Sequence, residues 1–230
     1  ADQELKDADR FRRTTSRNQH IVGRAMARRL LSDLAESPSP ANRRDDQSPN
    51  PIDPRAIRFL PGNHGKPAVV YPPAVDHPFN IAHTDGLVLC GLADHNAELV
   101  GVDVEAVDRQ TPTELAERYF SPPEVRYLRS RPILDQKPTF LRIWTLKEAF
   151  IKAIGTGLHT PLCDFAFQEI GSSEPQIRFL DPHLADGREW RFFTFEPRDG
   201  YIASAAIAVK QPKTAITIDW KAFEPLLDEK

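Results

Sequence analysis

Residues 99–105 read LVGVDVE, and this alternation narrows the fold more than any other stretch of the chain. In a β-strand successive side chains point to opposite faces. Val100, Val102 and Val104 therefore share one face, and Gly101, Asp103 and Glu105 share the other. The valines can bury while the two carboxylates stand about 7 Å apart at the backbone. Like charges at that separation repel unless a cation lies between them. Oxygen-only ligands select a hard ion, Mg²⁺ before Zn²⁺. The plainer alternative for a bare D-x-E is a half-exposed strand with two solvated acids.

Forty residues on, WTLKEAFIKAIGTGL at 144–158 has helical spacing. The pattern predicts a helix from about Pro138 to Ile154, stopped by Gly155. Ile143, Leu146, Phe150, Ala153 and Ile154 form its apolar stripe, and Thr145, Glu148 and Lys152 lie on a different face. As an exposed i, i+4 pair, Glu148 and Lys152 contribute only about 0.2–0.5 kcal/mol. Packed on the strand, Glu148 is available as a third carboxylate for the ion. Lys152, one turn away, is then available to neutralise phosphate.

Around these two segments the chain alternates in texture. Residues 18–34 predict a helix with Ile21, Val22, Ala25, Met26, Leu30 and Leu34 on one face and Ser16 or Asn18 as cap. Residues 36–55 carry five prolines and almost nothing apolar, which predicts a disordered insertion. FNIAH, LVLCGLA and LVGVDVE, separated by TDG and DHNAE, predict an antiparallel meander. TPTE and SPPE each place a hydroxyl residue, a proline and a glutamate as a helix start does, at Thr111–Glu114 and Ser121–Glu124. QIRFL, WRFFTFE and YIASAAIAV then read as strands, the last two joined by a PRDG hairpin turn, with AITIDW and a short KAFEPLL closing the chain. Each half thus has one long helix and a few antiparallel strands, an α+β class. The expected organisation is an N-terminal subdomain over 1–96, a C-terminal subdomain with the metal site over 97–217, and a tail over 218–230.

Composition excludes several classes. Hydrophobic residues make up 40% of the 230, enough for a sizeable core, and the net charge is only −3. No run of 18 apolar residues exists, which excludes a helical membrane span. The first residues lack the apolar core of a signal peptide, so a cytoplasmic location is expected. Cys90 and Cys163, without metal-ligand spacing, read as reduced thiols. The stretch from Arg10 to Arg29 holds seven arginines and no acid, which is either a solvated helix face or a phosphate-binding block.

VGVDVE followed at this distance by WTLKEAFIK resembles the signature of the Sfp-type 4′-phosphopantetheinyl transferases, a V-G-[IV]-D-x-E strand and a W-[ST]-x-K-E-[AS]-[FY]-x-K helix. GKP at 65–67, FNIAHT at 79–84 and RYFSPPE at 118–124 resemble further elements of that family in the same order, with Ala82 where the family has a serine. The resemblance implies a pseudo-twofold pair of similar α+β subdomains with the active site between them. It implies transfer of the phosphopantetheine arm of coenzyme A to a serine of an apo acyl or peptidyl carrier protein, with release of adenosine 3′,5′-bisphosphate. By the same resemblance Asp103, Glu105 and Glu148 hold Mg²⁺ on the pyrophosphate, and Lys152 steadies the phosphates or the leaving group. Glu148 and Glu124 are the two candidates for the general base, Glu124 having a competing explanation as the glutamate of a capping box. His83, Thr84 and Lys66 match elements that contact coenzyme A. Arg12, Arg13 and Arg17 are candidates for its 3′-phosphate side, because guanidinium forks onto phosphate oxygens. Family members of this length usually act as monomers, so the resemblance implies a monomer.

Three rival readings also fit parts of the sequence. A different Mg²⁺-dependent phosphoryl enzyme acting on nucleotides uses the carboxylates but leaves FNIAHT and GKP without a role. A non-catalytic carrier-binding module needs neither the three carboxylates nor Lys152. A nucleic-acid binder is the weakest, given the acidic chain and the absence of aromatics interleaved with the arginines.

Overall fold

The computed structural model describes residues 8–36, 52–62, 65–211 and 215–223. In the N-terminal half, helix α1 (Thr14–Glu36) lies on the hairpin of β3 (Phe79–Thr84) and β4 (Leu87–Leu92). Strands β1 (Arg58–Pro61) and β2 (Pro67–Tyr71) form a second antiparallel pair. Ala27 and Leu31 of α1 meet Ile57, Val75 and Phe79 in a buried cluster.

The buried face of α1 is rotated from the expected stripe. Met26, Ala27, Leu31 and Ser32 are buried, while Val22 is 41% exposed. Small residues decide the contact: a Cβ on Gly23 would lie 2.7 Å from Ile81 Cγ2. Counting large apolar residues therefore found one edge of the buried face, which Met26 shares, and missed its centre at Gly23, Ala27 and Leu31. Most of the predicted insertion, 37–51, lies outside the described residues. Its end lies within them: Ser32 Oγ donates to Ile52 O at 2.5 Å, and Asp53 accepts from Arg55 N at 2.8 Å.

The C-terminal half is built on a three-stranded antiparallel sheet in the order β5 (Ala97–Ala106), β9 (Tyr201–Val209), β8 (Glu189–Phe195). A separate pair, β6 (Phe165–Gln168) and β7 (Gln176–Phe179), flanks it. Helices α2 (Ala116–Tyr119) and α3 (Pro122–Arg129) lead into α4 (Ile133–Ile154), which lies across β5 and β9. Phe140, Ile143, Leu146 and Phe150 of α4 pack with Phe165, Phe167 and Phe192 in the main core. Each such burial contributes about 1.5–3 kcal/mol. The chain is thus α+β, a pair of similar halves with one long helix each on small antiparallel sheets. No helix among the described residues is long and apolar enough to cross a membrane. Cys90 and Cys163 form no disulfide.

Several sequence expectations are corrected. The meander stops at β4: β5 pairs instead with β9, from Ala97↔Val209 to Ala106↔Tyr201. A ten-residue strand finds a nine-residue partner there, whereas β4 has six residues. α4 begins at Ile133 and contains Pro138, whose missing N–H leaves only the Leu134 carbonyl at the exposed helix start without its bond. Thr111 caps nothing: a 3₁₀ turn over Thr113–Leu115 begins after Pro112, and Thr111 Oγ1 has no partner. AITIDW forms no strand. Residues 215–223 run without regular structure, Ile216 and Ile218 half-buried and Trp220 tilted against Phe195 at 4.1 Å between ring centroids.

The contact between β5 and α4 is made at backbone distance. A Cβ on Gly101 would stand 2.1 Å from Ala149 O and 2.4 Å from Ala153 N. Gly101→Ala is therefore expected to force helix and strand apart and to lower stability by about 1–3 kcal/mol. For a chain of this length that is a fall of roughly 2–4 °C in Tm per kcal/mol, read by calorimetry. An unchanged Tm would show that the spacing is not set there.

Candidate active site

Strand β5 carries Asp103 and Glu105 on the face that α4 covers, and Val102 and Val104 on the face against Ala82, Leu87 and Leu89. Both faces are buried, so the picture of two solvated acids does not hold: Asp103 is 6% exposed and Glu105 7%. Thr145 orients this part of α4, its Oγ1 lying 2.8 Å from Ser204 Oγ on the strand residue paired with Asp103. Two turns further, Lys152 Nζ donates to Asp103 Oδ1 at 2.5 Å. Glu105 is held by the Arg109 guanidinium, and its second oxygen accepts from Thr84 Oγ1 at 3.4 Å.

Burial and the neighbouring charges shift these acids together. Burial pushes the Asp103 carboxyl up to about 7; the Lys152 ammonium pulls it back, and Glu105 and Glu148 push it further up. Glu148 is raised for the same first reason, burial, with Lys152 opposing, Glu105 adding and Arg109 opposing. All three carboxylates therefore act on one another across the β5–α4 cleft. His83 is lowered by burial and by the nearby Lys152 charge.

Among the described residues no group of three His, Cys, Asp or Glu side chains stands ready to hold a metal ion. Lys152 and Arg109 pair with oxygens of Asp103 and Glu105 that a cation would take. One oxygen remains. Asp103 Oδ2 is buried and has no hydrogen-bond partner. A buried, unpartnered carboxylate oxygen that two further acids act on electrostatically fits a hard divalent cation, which would relieve both the desolvation and the repulsion.

A cleft of about 420 Å³ opens beside the acids, lined by His83, Thr84, Asp85, Glu105, Asp108 and Arg109. Gln19 Nε2 of α1 donates to Thr84 O at 2.6 Å, which brings the start of α1 to the same end of β3. Arg12 and Arg13 are exposed just before that helix, and Arg17 pairs with Asp9 at 3.2 Å. A wider groove of about 590 Å³ lies at the other end of β5, around Glu98, Asp186, Arg188 and Lys210, with Arg188 already paired to Glu98 at 2.7 Å.

Two of the candidates lie elsewhere. Glu124 is fully buried: Oε2 accepts from Ser121 N at 3.0 Å and pairs with Lys147 Nζ at 2.8 Å, and Oε1 accepts from Phe167 N at 2.9 Å. The capping box of α3 is therefore present, and both oxygens of the glutamate are committed. Lys66 Nζ donates to two backbone carbonyls, Val100 O at 3.0 Å and Ala153 O at 2.8 Å. Two residues escaped the sequence reading. Arg109 was signalled by its place four after Glu105. Lys147 was signalled by lying on the buried stripe of Ile143, Phe150 and Ile154, where a lysine needs a partner.

The 4′-phosphopantetheinyl transferase superfamily model matches residues 99–209, the span that carries the acids and α4. A 4′-phosphopantetheinyl transferase of Bacillus subtilis is 30% identical over 177 residues, 76% of this chain and 73% of that protein. The 4′-phosphopantetheinyl transferase Sfp of Bacillus subtilis strain 168 is 30% identical over 176 residues, 76% of this chain and 73% of its own length. HetI of Nostoc, another 4′-phosphopantetheinyl transferase, is 27% identical over 89% of this chain and 77% of that protein. The solved holo-[acyl-carrier-protein] synthase of Thermotoga maritima is similar over 50% of this chain and 65% of that one, with 26% identity and a TM-score of 0.41.

Proposed function

Since the chain belongs to the 4′-phosphopantetheinyl transferase family, an enzyme class that transfers phosphopantetheine to carrier proteins, we propose that its donor is coenzyme A. The acceptor is a serine of an apo acyl or peptidyl carrier, and the second product is adenosine 3′,5′-bisphosphate. The observation that carries this reading is the buried, unpartnered Oδ2 of Asp103, on a carboxyl that Glu105 and Glu148 both repel, with Lys152 on its other oxygen.

Asp103, Glu105 and Glu148 are the residues that would hold Mg²⁺. When bound, the ion supplies positive charge to the pyrophosphate as negative charge shifts to the leaving group. Lys152, released from Asp103, neutralises the same phosphates. The serine hydroxyl needs a base, and of the two candidates Glu148 is the better placed, because Glu124 spends both oxygens inside the core. His83, held towards its neutral form, and the Thr84 hydroxyl line the adjoining cleft and are assigned to donor phosphates. Arg12, Arg13 and Arg17 are assigned to the 3′-phosphate side. The protein is proposed to act as a cytoplasmic monomer.

Mass spectrometry of a small apo carrier, after incubation with coenzyme A and Mg²⁺, tests the whole reading. The expected result is a gain of one phosphopantetheine and the appearance of adenosine 3′,5′-bisphosphate. Release of free phosphate from nucleotides with an unmodified carrier would replace it with a hydrolase reading. Carrier binding without turnover would replace it with a recognition module.

A further inference from the structure

Strand β5 has one edge on β9 and another that faces the N-terminal half. The N–H and C=O groups of alternate residues point to the same edge of a strand. On this second edge β3 runs alongside β5, yet no ladder joins the two. Side chains take its place: Val102 N donates to Asn80 Oδ1 at 2.9 Å, and Lys66 Nζ donates to Val100 O at 3.0 Å.

Lys66 does more than close an edge. Its second bond, at 2.8 Å, goes to Ala153 O in the last turn of α4. Carbonyls there lack helical partners and the helix dipole is negative, so an ammonium is stabilising. One ammonium thus grips β5 three residues before Asp103 and α4 one residue after Lys152. Between these points Gly101 brings Ala149 O and Ala153 N to backbone contact distance. The lysine leaves a fixed point of the β1–β2 hairpin, where Gly62 N donates to Lys66 O at 2.7 Å and Gly65 N to Gly62 O at 3.1 Å. Burial draws its ammonium down to about 8. Desolvating a lysine for two backbone bonds is costly, and the contact persists because it joins three elements.

We propose that Lys66 is a positioning residue: it sets the spacing between the acids of β5 and those of α4, and so controls metal affinity and turnover, instead of contacting the donor. This rests on the reading of Asp103, Glu105 and Glu148 as Mg²⁺ ligands.

The test compares the full chain with Lys66→Met, in two readouts. The first is the rise in Tm on titration with MgCl₂ alone, which involves neither coenzyme A nor carrier. The second is steady-state transfer. In Lys66→Met the Mg²⁺ concentration for the half-maximal Tm rise is expected to increase about tenfold or more, the effect typical of lost support behind metal ligands. The kcat is expected to fall in parallel, with KM for coenzyme A changed by less than about threefold. Lys66→Gln, which keeps an N–H₂ donor, is expected to lie between the two, and it carries the same comparison should the Met variant not fold. A raised KM with the Mg²⁺ response and kcat intact would make Lys66 a donor contact and overturn the proposal. A wild-type protein whose Tm ignores Mg²⁺ would overturn the metal reading and this proposal with it. A responsive wild type matched by its variants would overturn the role of Lys66 alone.

Discussion

Asp103→Asn is expected to reduce transfer at least about 10²-fold and, at the same time, to raise thermal stability at pH 8. The carboxyl is 6% exposed, and burial holds it at about 7, well above the ordinary 3.8. Its folded value is raised, so between the unfolded and folded values the native state binds the extra proton. Stability attributable to this group is therefore greatest at low pH and falls as pH rises from about 4 to 7. At about 1.4 kcal/mol per unit, the penalty at pH 8 is on the order of a few kcal/mol. Asparagine does not titrate and keeps the shape. Its advantage in Tm over the wild type is expected to be absent near pH 4 and to reach several degrees at pH 8. Mg²⁺ at pH 8 is expected to raise the wild-type Tm and to leave the variant almost unmoved. Calorimetry across that range, with the carrier assay alongside, checks both halves. Equal Tm values at pH 8, or turnover near normal, would remove Asp103 from the role assigned to it.

The residues that made this legible in the sequence are those whose meaning is local. The alternation of VGVDVE is a property of six adjacent residues, and it correctly separates Val102 and Val104 from Asp103 and Glu105. The stop at Gly155 is equally local, a left-handed residue at φ 74° after the last helical turn. What escaped depends on partners far along the chain. Nothing in residues 97–106 says that their ladder lies a hundred residues away in β9. Gly101 looked like one more small residue until the backbone of α4 was found above it. Lys66 was matched to an element that contacts coenzyme A, and its two carbonyl partners lie 34 and 87 residues further on. The rotation of α1 has the same origin: which face is buried was decided by the β3–β4 hairpin it meets, and a hairpin accepts Gly23 and Ala27 more closely than Val22.

Glu124→Ala is expected to lower stability by about 3–5 kcal/mol, the typical cost of removing one partner from a buried ion pair. At roughly 2–4 °C per kcal/mol this is a Tm loss on the order of 10 °C. The pair it breaks, Glu124 with Lys147 at 2.8 Å, has both side chains 0% exposed. Burial lowers the Lys147 pKa and Glu124 raises it, so without the glutamate the lysine is left to shed its proton inside the core. The Ser121 and Phe167 amides lose their acceptor as well, loosening the start of α3 from β6. Lys147 would keep its bonds to Leu162 O at 2.6 Å and Phe165 O at 2.7 Å, so the variant is expected to fold at low temperature. The same experiment separates the two roles considered for this residue. A structural glutamate predicts that Glu124→Gln, which keeps an acceptor but not the charge, loses part of the stability. It also predicts that turnover, measured well below the lowered Tm, stays within about tenfold of the wild type. A general base predicts the reverse, an intact Tm and turnover lower by about 10²–10⁴-fold. That second outcome would return Glu124 to the chemistry and require its carboxylate to leave the core during the reaction.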